Sequence, residues 1–297
     1  MKKNRERKII RAETMGYCMG VRRAVQIVND MLDSGKHTTI HTMGPLIHNR
    51  HVLEKLQQKG VTVIKNPDRA EGSVVIRAHG IHPEVRALFL ERNIELVDAT
   101  CPRVLRSQRI VKEHSDQGFH IVIVGDKDHG EVRGIAGYAG NYRVIKDEKE
   151  AQSLKLPAKT MVIGQTTLRR DEYARICDIL KEKNPHIKIC RSICPATEKR
   201  QEALRELAEK VDAILVVGGR DSSNTKHLYR TASKLINAAW HIEEASEIPL
   251  EINNYDRIGI TAGASTPDWI IDEVERRLLE MIEEEQRLNM RGNNGNS

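Results

Sequence analysis

The feature that most constrains this 297-residue chain is an internal repeat headed by cysteine. Residues 98–126, DATCPRVLRSQRIVKEHSDQGFHIVIVGD, read as a Cys-Pro, a polar helix and a short apolar strand ending in Gly. Residues 192–220, SICPATEKRQEALRELAEKVDAILVVGGR, have the same parts in the same order. Pro after Cys suits a first helical position, where its missing N–H would have no partner anyway. In the later copy Ala203, Leu204, Leu207, Ala208 and Val211 share one apolar helical face. A fainter copy opens the chain: GYCMGVRRAVQIVNDMLDSGKHTTIHTMG puts its Cys at a Gly-flanked turn and Val21, Ala24, Val25, Val28 and Met31 on one helical face. The distances to the next polar loop agree, with Cys18 to His48 at 30, Cys101 to His129 at 28 and Cys194 to Asn224 at 30 residues.

Each unit continues through helix-like and strand-like segments to a second polar loop, carried by VVIRAHG with His79, MVIGQTT with Thr166 and IGITAGAST with Ser265. Strands alternating with helices predict an α/β fold of three similar small domains with mostly parallel sheets. The domains are expected at 19–100, 101–191 and 192–284, with residues 8–18 packing on the third. Residues 285–297, ending RGNNGNS, read as a disordered tail. In such sheets, ligand residues gather beyond the carboxyl ends of the strands.

Charge narrows the choice of ligand. The net charge is +6 and the isoelectric point is near 9.0, which raises nucleic acid or a small polyanion as partner. Aromatics are only 3% and nowhere interleave with basic residues, so a base-stacking surface is not expected. Hydroxyls, amides and imidazoles beside Gly-rich backbone, as in GPLIHNR, RAHGIHP, GDKDHGEVRG, GGRDSSNTKHL and TAGAST, suit a phosphate group instead. Neither a Walker loop nor a G-x-G-x-x-G motif is present. No apolar run approaches the ~18 residues of a spanning helix, and the basic start lacks a signal-peptide core, so no membrane partner and a cytoplasmic location are expected.

Of the five cysteines, Cys177 and Cys190 read as small buried hydrophobes. Cys18, Cys101 and Cys194 stand at loop-to-helix junctions, where a thiolate gains from the helix dipole. Three thiolates from three similar units would make a metal site. An iron–sulfur cluster with one open iron suits ligands so far apart. Zinc with an added His stays open, although no C-x-x-C knuckle occurs. His41, His51, His82 and His227 read as structural. Glu131, two residues after His129 in a Gly-bounded loop, could relay a proton if buried, since its pKa would then rise toward neutrality.

The ordered set GYCMGVRRA, HNR, RAHG, DATCP, HGEVRG, QTTL, ICPAT, GGRDSSNT and TAGASTP resembles the 4-hydroxy-3-methylbut-2-enyl diphosphate reductase family, which acts last in the non-mevalonate isoprenoid pathway. The likeness runs from about Ala12 to the helix after Pro267. It implies three α/β domains arranged pseudo-threefold around a four-iron four-sulfur cluster held by Cys18, Cys101 and Cys194. It further implies that His48, His79, Ser222, Asn224 and Ser265 hold the diphosphate of an allylic substrate, with Ser223 and His129 lining the pocket. Glu131 and Thr166 would carry protons beside His129. Reduction would yield isopentenyl and dimethylallyl diphosphate, with electrons from an external ferredoxin or flavodoxin. One departure is Gly130, where the family usually has Pro. Rival classes are a zinc-stabilised binding module for a phosphorylated metabolite and a basic RNA-binding protein.

Overall fold

The computed structural model describes residues 7–294. In chain order its elements are β1 (Lys8–Arg11), α1 (Met19–Ser34), β2 (Ile40–Met43), α2 (Arg50–Gln58), β3 (Val61–Ile64), β4 (Ser73–Ile76), α3 (Pro83–Glu91), β5 (Glu95–Asp98) and α4 (Pro102–Asp116). There follow β6 (His120–Val124), α5 (Gly130–Ala136), β7 (Tyr142–Ile145), α6 (Glu148–Ser153), β8 (Thr160–Gly164), α7 (Arg170–Lys183) and β9 (Lys188–Ile189). The last elements are α8 (Pro195–Ala208), β10 (Ala213–Val217), α9 (Ser223–Leu235), β11 (Ala239–Ile242), β12 (Arg257–Ala262) and α10 (Asp268–Asn294).

The strands form three four-stranded sheets ordered β3-β2-β4-β5, β7-β6-β8-β9 and β1-β12-β10-β11, with every pairing parallel. The repeat therefore closes on itself in connectivity. β5 and β9 lead into Cys101 and Cys194 from the edges of their sheets, and β1 leads into Cys18 from the edge of the third. β1 pairs with β12 from Lys8↔Arg257 to Arg11↔Ile260, which is why the N-terminal segment lies with the C-terminal sheet.

The chain packs as two compact units, one made of the chain up to Tyr17 and from Lys199 onward, the other of Cys18–Glu198. The first two sheets share the larger unit. Parallel sheets need helices on both faces, so their strands run apolar. Val122, Val124 and Val162 accordingly pack on α7 through Tyr173, Ile176 and Leu180, while Ile121, Ile123 and Ile163 pack on the other face with Val111 and Ile135. In the smaller unit Leu215, Val217 and Ile260 meet Ile270, Ile271, Val274 and Leu278 of α10, and Ile214 and Val216 meet Leu204, Leu207 and Leu228.

The expected C-terminal disorder is corrected over residues 285–294, which continue α10. The run EEEQRLNMR is rich in good helix formers, Arg287 pairs with Glu283 one turn back, and Glu285 meets Arg7 at 2.6 Å. Residues 295–297 of that expected tail lie outside the described residues.

Candidate active site

Each of the three cysteines of the repeat immediately precedes a helix, α1, α4 or α8. Cys18 is the N-cap of α1 and its Sγ accepts from the Val21 amide at 3.5 Å. Cys101 precedes Pro102 of α4, with the Arg103 and Val104 amides lowering its pKa but neither closing a side-chain hydrogen bond. Burial outweighs them and pushes the Cys101 thiol up, and the charges of Cys18 and Cys194 add to the rise. Cys194 donates its amide to the Thr166 carbonyl at 3.0 Å and accepts from Thr197 and Glu198, which starts α8. A Cβ at Gly20 would lie 2.6 Å from the Cys101 Sγ, so glycine there keeps space beside that sulfur. Three cysteines at helix starts, with such a cradle beside Cys101, fit a group bound through three thiols.

The loops after β2, β4 and β6 bring His48, His79 and His129 together. Their ring centroids are 4.5 Å (His48–His79), 5.4 Å (His48–His129) and 5.2 Å (His79–His129) apart. Neighbouring strands β2 and β4 explain the first of these distances. One nitrogen from each ring lies within 4.8 Å of the others, a spacing that could hold a metal ion. The hydrogen bonding favours another use. His129 is the N-cap of α5, and its Nδ1 accepts from the Glu131 amide at 3.2 Å. A neutral ring in that state carries its proton on Nε2, which is then a donor rather than a metal ligand. Burial, together with the neighbouring His48, His129 and Arg77, holds the His79 pKa well below 6.5.

Glu131 lies in α5 and is 1% exposed. Its Oε1 accepts from the Thr166 amide at 2.7 Å, and its Oε2 meets the Thr166 hydroxyl at 2.9 Å. Burial nevertheless raises the carboxyl to a pKa of about 7, against the lowering effect of both bonds. Thr197 Oγ1 in turn donates to the Thr166 carbonyl at 3.3 Å, fixing the loop after β8.

In the smaller unit the loops after β10 and β12 carry Ser222, Ser223, Asn224 and Ser265. Ser222 is the N-cap of α9 and its Oγ accepts from the Thr225 amide at 3.3 Å. Asn224 is buried, its Oδ1 accepts from the Ala264 amide at 2.9 Å, and its Nδ2 has no partner among the described residues. Ser265 is also buried.

Every candidate residue thus sits beyond the carboxyl end of a parallel strand or at the helix start that follows a Cys. Cys18, Cys101 and Cys194 all belong to the larger unit, as do His48, His79, His129, Glu131 and Thr166. Cys177 is buried with Tyr173 and Ile176 as a core residue, whereas Cys190, expected to be buried, is only partly so and packs at the margin of the cluster that holds Ile121 and Ile123. His82 caps α3 through its Nδ1. Sequence reasoning gave no role to Arg77 of RAHG or to Gly44, although both lie among the histidine loops. The signal was available only as a second departure from plain α/β loops, a cation two residues before a buried histidine.

Comparison with known proteins follows from this geometry. A family model described as LytB protein matches residues 9–279. A 4-hydroxy-3-methylbut-2-enyl diphosphate reductase of Treponema denticola is 45% identical over 91% of this chain and 98% of its own length. That of Caldanaerobacter subterraneus is 39% identical over 94% and 99%. Among solved structures, the E-1-hydroxy-2-methyl-but-2-enyl-4-diphosphate reductase from Plasmodium falciparum is similar with a TM-score of 0.85 at 29% identity, covering 92% of this chain and 87% of that one. A structure of (E)-4-hydroxy-3-methyl-but-2-enyl diphosphate reductase, described as the terminal enzyme of the non-mevalonate pathway, has a TM-score of 0.68 at 35% identity, covering 92% and 99%.

Proposed function

From the fact that this chain belongs to the LytB protein family and is an oxidoreductase, we propose that it reduces 4-hydroxy-3-methylbut-2-enyl diphosphate to isopentenyl and dimethylallyl diphosphate. The reaction removes the allylic hydroxyl as water, consuming two electrons and two protons. One proton leaves with the hydroxyl, and the other adds to either end of the allyl fragment. Cys18, Cys101 and Cys194 would hold a four-iron four-sulfur cluster, since each heads one copy of the repeat at a helix start. When bound, that cluster supplies the electrons and a Lewis-acidic iron for the hydroxyl oxygen.

The chain's own residues supply the rest. The observation that carries this reading is Glu131, a fully buried carboxyl brought to a pKa of about 7 and held on both oxygens by Thr166. Near neutral pH such a group is half protonated, which suits a general acid. The Thr166 hydroxyl shares that proton's hydrogen bond and can pass it on. His48, His79 and His129 offer ring N–H donors to diphosphate oxygens, and burial keeps His79 from competing for the proton. Ser222, Ser223, Asn224 and Ser265 are proposed as further diphosphate donors, on the strength of the family motif and of the unpartnered Asn224 Nδ2.

Five free cysteines suit a reducing cytoplasm. No helix among the described residues is long and apolar enough to cross a membrane. Electrons are proposed to come from a small acidic carrier such as ferredoxin or flavodoxin, which the net charge of +6 would attract. The decisive experiment is anaerobic purification with iron and acid-labile sulfide analysis, followed by turnover with a chemical one-electron reductant. Iron and sulfide in equal amounts with reduction of the substrate are expected. Zinc without sulfide after iron-replete reconstitution would overturn the cluster and leave a zinc-stabilised binding module.

A further inference from the structure

The loop that carries each of the three histidines touches the same side chain. Arg77 precedes His79 by two residues. A Cβ at Gly44, four residues before His48, would lie 2.6 Å from its Nη1. A Cβ at Gly130, next to His129, would overlap its Nη2 and lie 2.7 Å from its Cζ. The guanidinium therefore fills a slot between two glycines, and any other residue at either position would evict it. Gly44 has φ +74, so its turn also favours glycine on backbone grounds. Gly130 has no positive φ, and the nearest atoms that a side chain there would meet belong to Arg77.

This cation is poorly compensated. Its Nε donates to the Gly80 carbonyl at 3.3 Å, and among the described residues no carboxylate pairs with it. Burial lowers its pKa, and the charged neighbour that acts on it is a second cation, Arg133. Holding a partly buried charge without a counter-ion is costly unless a ligand supplies one. A guanidinium offers five N–H donors in a fixed fork that matches phosphate oxygens. A metal ion among the same histidines would meet its repulsion.

We propose that Arg77 is the fixed positive charge of the diphosphate site and the clamp that positions the three histidine loops, and that the absence of a side chain at Gly130 admits it. The inference rests on the diphosphate reading of the histidine group and adds to it a residue with its own geometric partner. Gly44, Arg77 and Gly130 then form one unit, in which the size of residue 130 sets the charge of the site.

The test is calorimetric titration of inorganic diphosphate into cluster-loaded enzyme, alongside KM, kcat and the salt dependence of KM. Arg77→Met fills the slot without charge and should raise both the diphosphate Kd and the KM about ten- to hundredfold, the usual worth of a charge-assisted hydrogen bond. The kcat at saturation should fall far less, and KM should rise less steeply with salt than in the wild type. Arg77→Lys should recover part of the affinity. Gly130→Ala leaves the arginine in the chain but pushes it from the slot, so it should weaken diphosphate binding in the same direction; it also decides the matter if Arg77→Met does not fold. Wild-type diphosphate affinity in both Arg77→Met and Gly130→Ala overturns the role of Arg77 while leaving the histidine site intact. A wild type that binds no diphosphate overturns the site itself.

Discussion

Glu131 and Asn224 occupy the same place in two copies of the repeat and do different chemistry there. Each lies 30 residues after its cysteine, in the first turn of the helix that follows the second strand. Each side-chain oxygen accepts from the amide two residues past the end of the third strand, Thr166 at 2.7 Å for Glu131 and Ala264 at 2.9 Å for Asn224. The residue two before each is the helix cap, His129 in one case and Ser222 in the other. One scaffold thus presents a carboxyl beside imidazoles in the larger unit, and an amide beside hydroxyls in the smaller. In the first set the Glu131 carboxyl titrates at about 7. The second, Ser222–Thr225 and Ala264–Thr266, contains no titratable side chain. The backbone fixes where a group is held, and the side chain decides whether that place moves protons or only donates hydrogen bonds.

The largest break in this comparison is Glu131→Gln, which turns the first copy into a likeness of the second. The amide can still accept from Thr166 but carries no transferable proton. Turnover should fall by about 10²- to 10⁴-fold, the usual worth of a positioned general acid, while iron content and diphosphate affinity stay near wild type. Single-turnover kinetics on the reduced enzyme measure this, and turnover within a few-fold of wild type would remove Glu131 from the proton path. The wild-type kcat should also decline as pH rises through about 7, where the carboxyl loses its proton, and the Gln variant should lack that limb.

The same substitution has a stability consequence. The Glu131 carboxyl is raised from 4.5 to about 7 on folding. Below the lower value it is protonated in both states and costs nothing. Between the two the folded protein holds a proton that the unfolded chain has released, so stability falls with rising pH and levels off above the folded pKa. At pH 8 the Gln variant should therefore be more stable than wild type, by on the order of 3 kcal/mol, and the gap should close below pH 4.5. Denaturant unfolding at the two pH values gives the difference.

The architecture was legible because it rests on repetition. Cys-Pro helix starts, apolar strands and polar loops recur, and parallel sheets leave few other ways to use them. Cys18, Cys101 and Cys194 stand out by position, and His129 and Glu131 by their Gly-bounded loop. What could not be read was anything set by approach in space. That Gly20 faces the Cys101 sulfur, or that Gly44 and Gly130 enclose Arg77, depends on contacts between residues 33 to 81 positions apart. The α10 extension was missed for the opposite reason. Gly and Asn in RGNNGNS outweighed the helix-forming run before them, yet local i,i+4 pairing carries the helix through.

A smaller effect is expected from Asn224→Asp, which moves the second copy toward the first. The acceptor to Ala264 survives, but an amide donor becomes a carboxylate in a place proposed for an anion. Without its Nδ2 donor, and with a like charge, KM should rise about tenfold at pH 8, the loss of roughly one hydrogen bond to a charged group. At low pH the carboxyl protonates and regains a donor, so the defect should shrink there. A KM defect of the same size at all pH values would show that the amide acts by shape rather than by charge.

The smallest effect belongs to the caps. Ser222→Ala removes the oxygen that accepts from the Thr225 amide at 3.3 Å and leaves that buried amide without its side-chain partner. N-cap loss of this kind costs about 1 kcal/mol, so the Tm should drop by a few degrees as that energy dictates for a unit of this size. His129→Ala removes the equivalent cap of α5, but it also removes an imidazole from the proposed anion site. Comparing the two separates capping from binding. Equal losses of stability with a KM increase in both variants place Ser222 among the diphosphate donors. A Ser222→Ala enzyme with lowered Tm and unchanged KM reduces it to a cap, leaving Asn224 and Ser265 to bind from that unit.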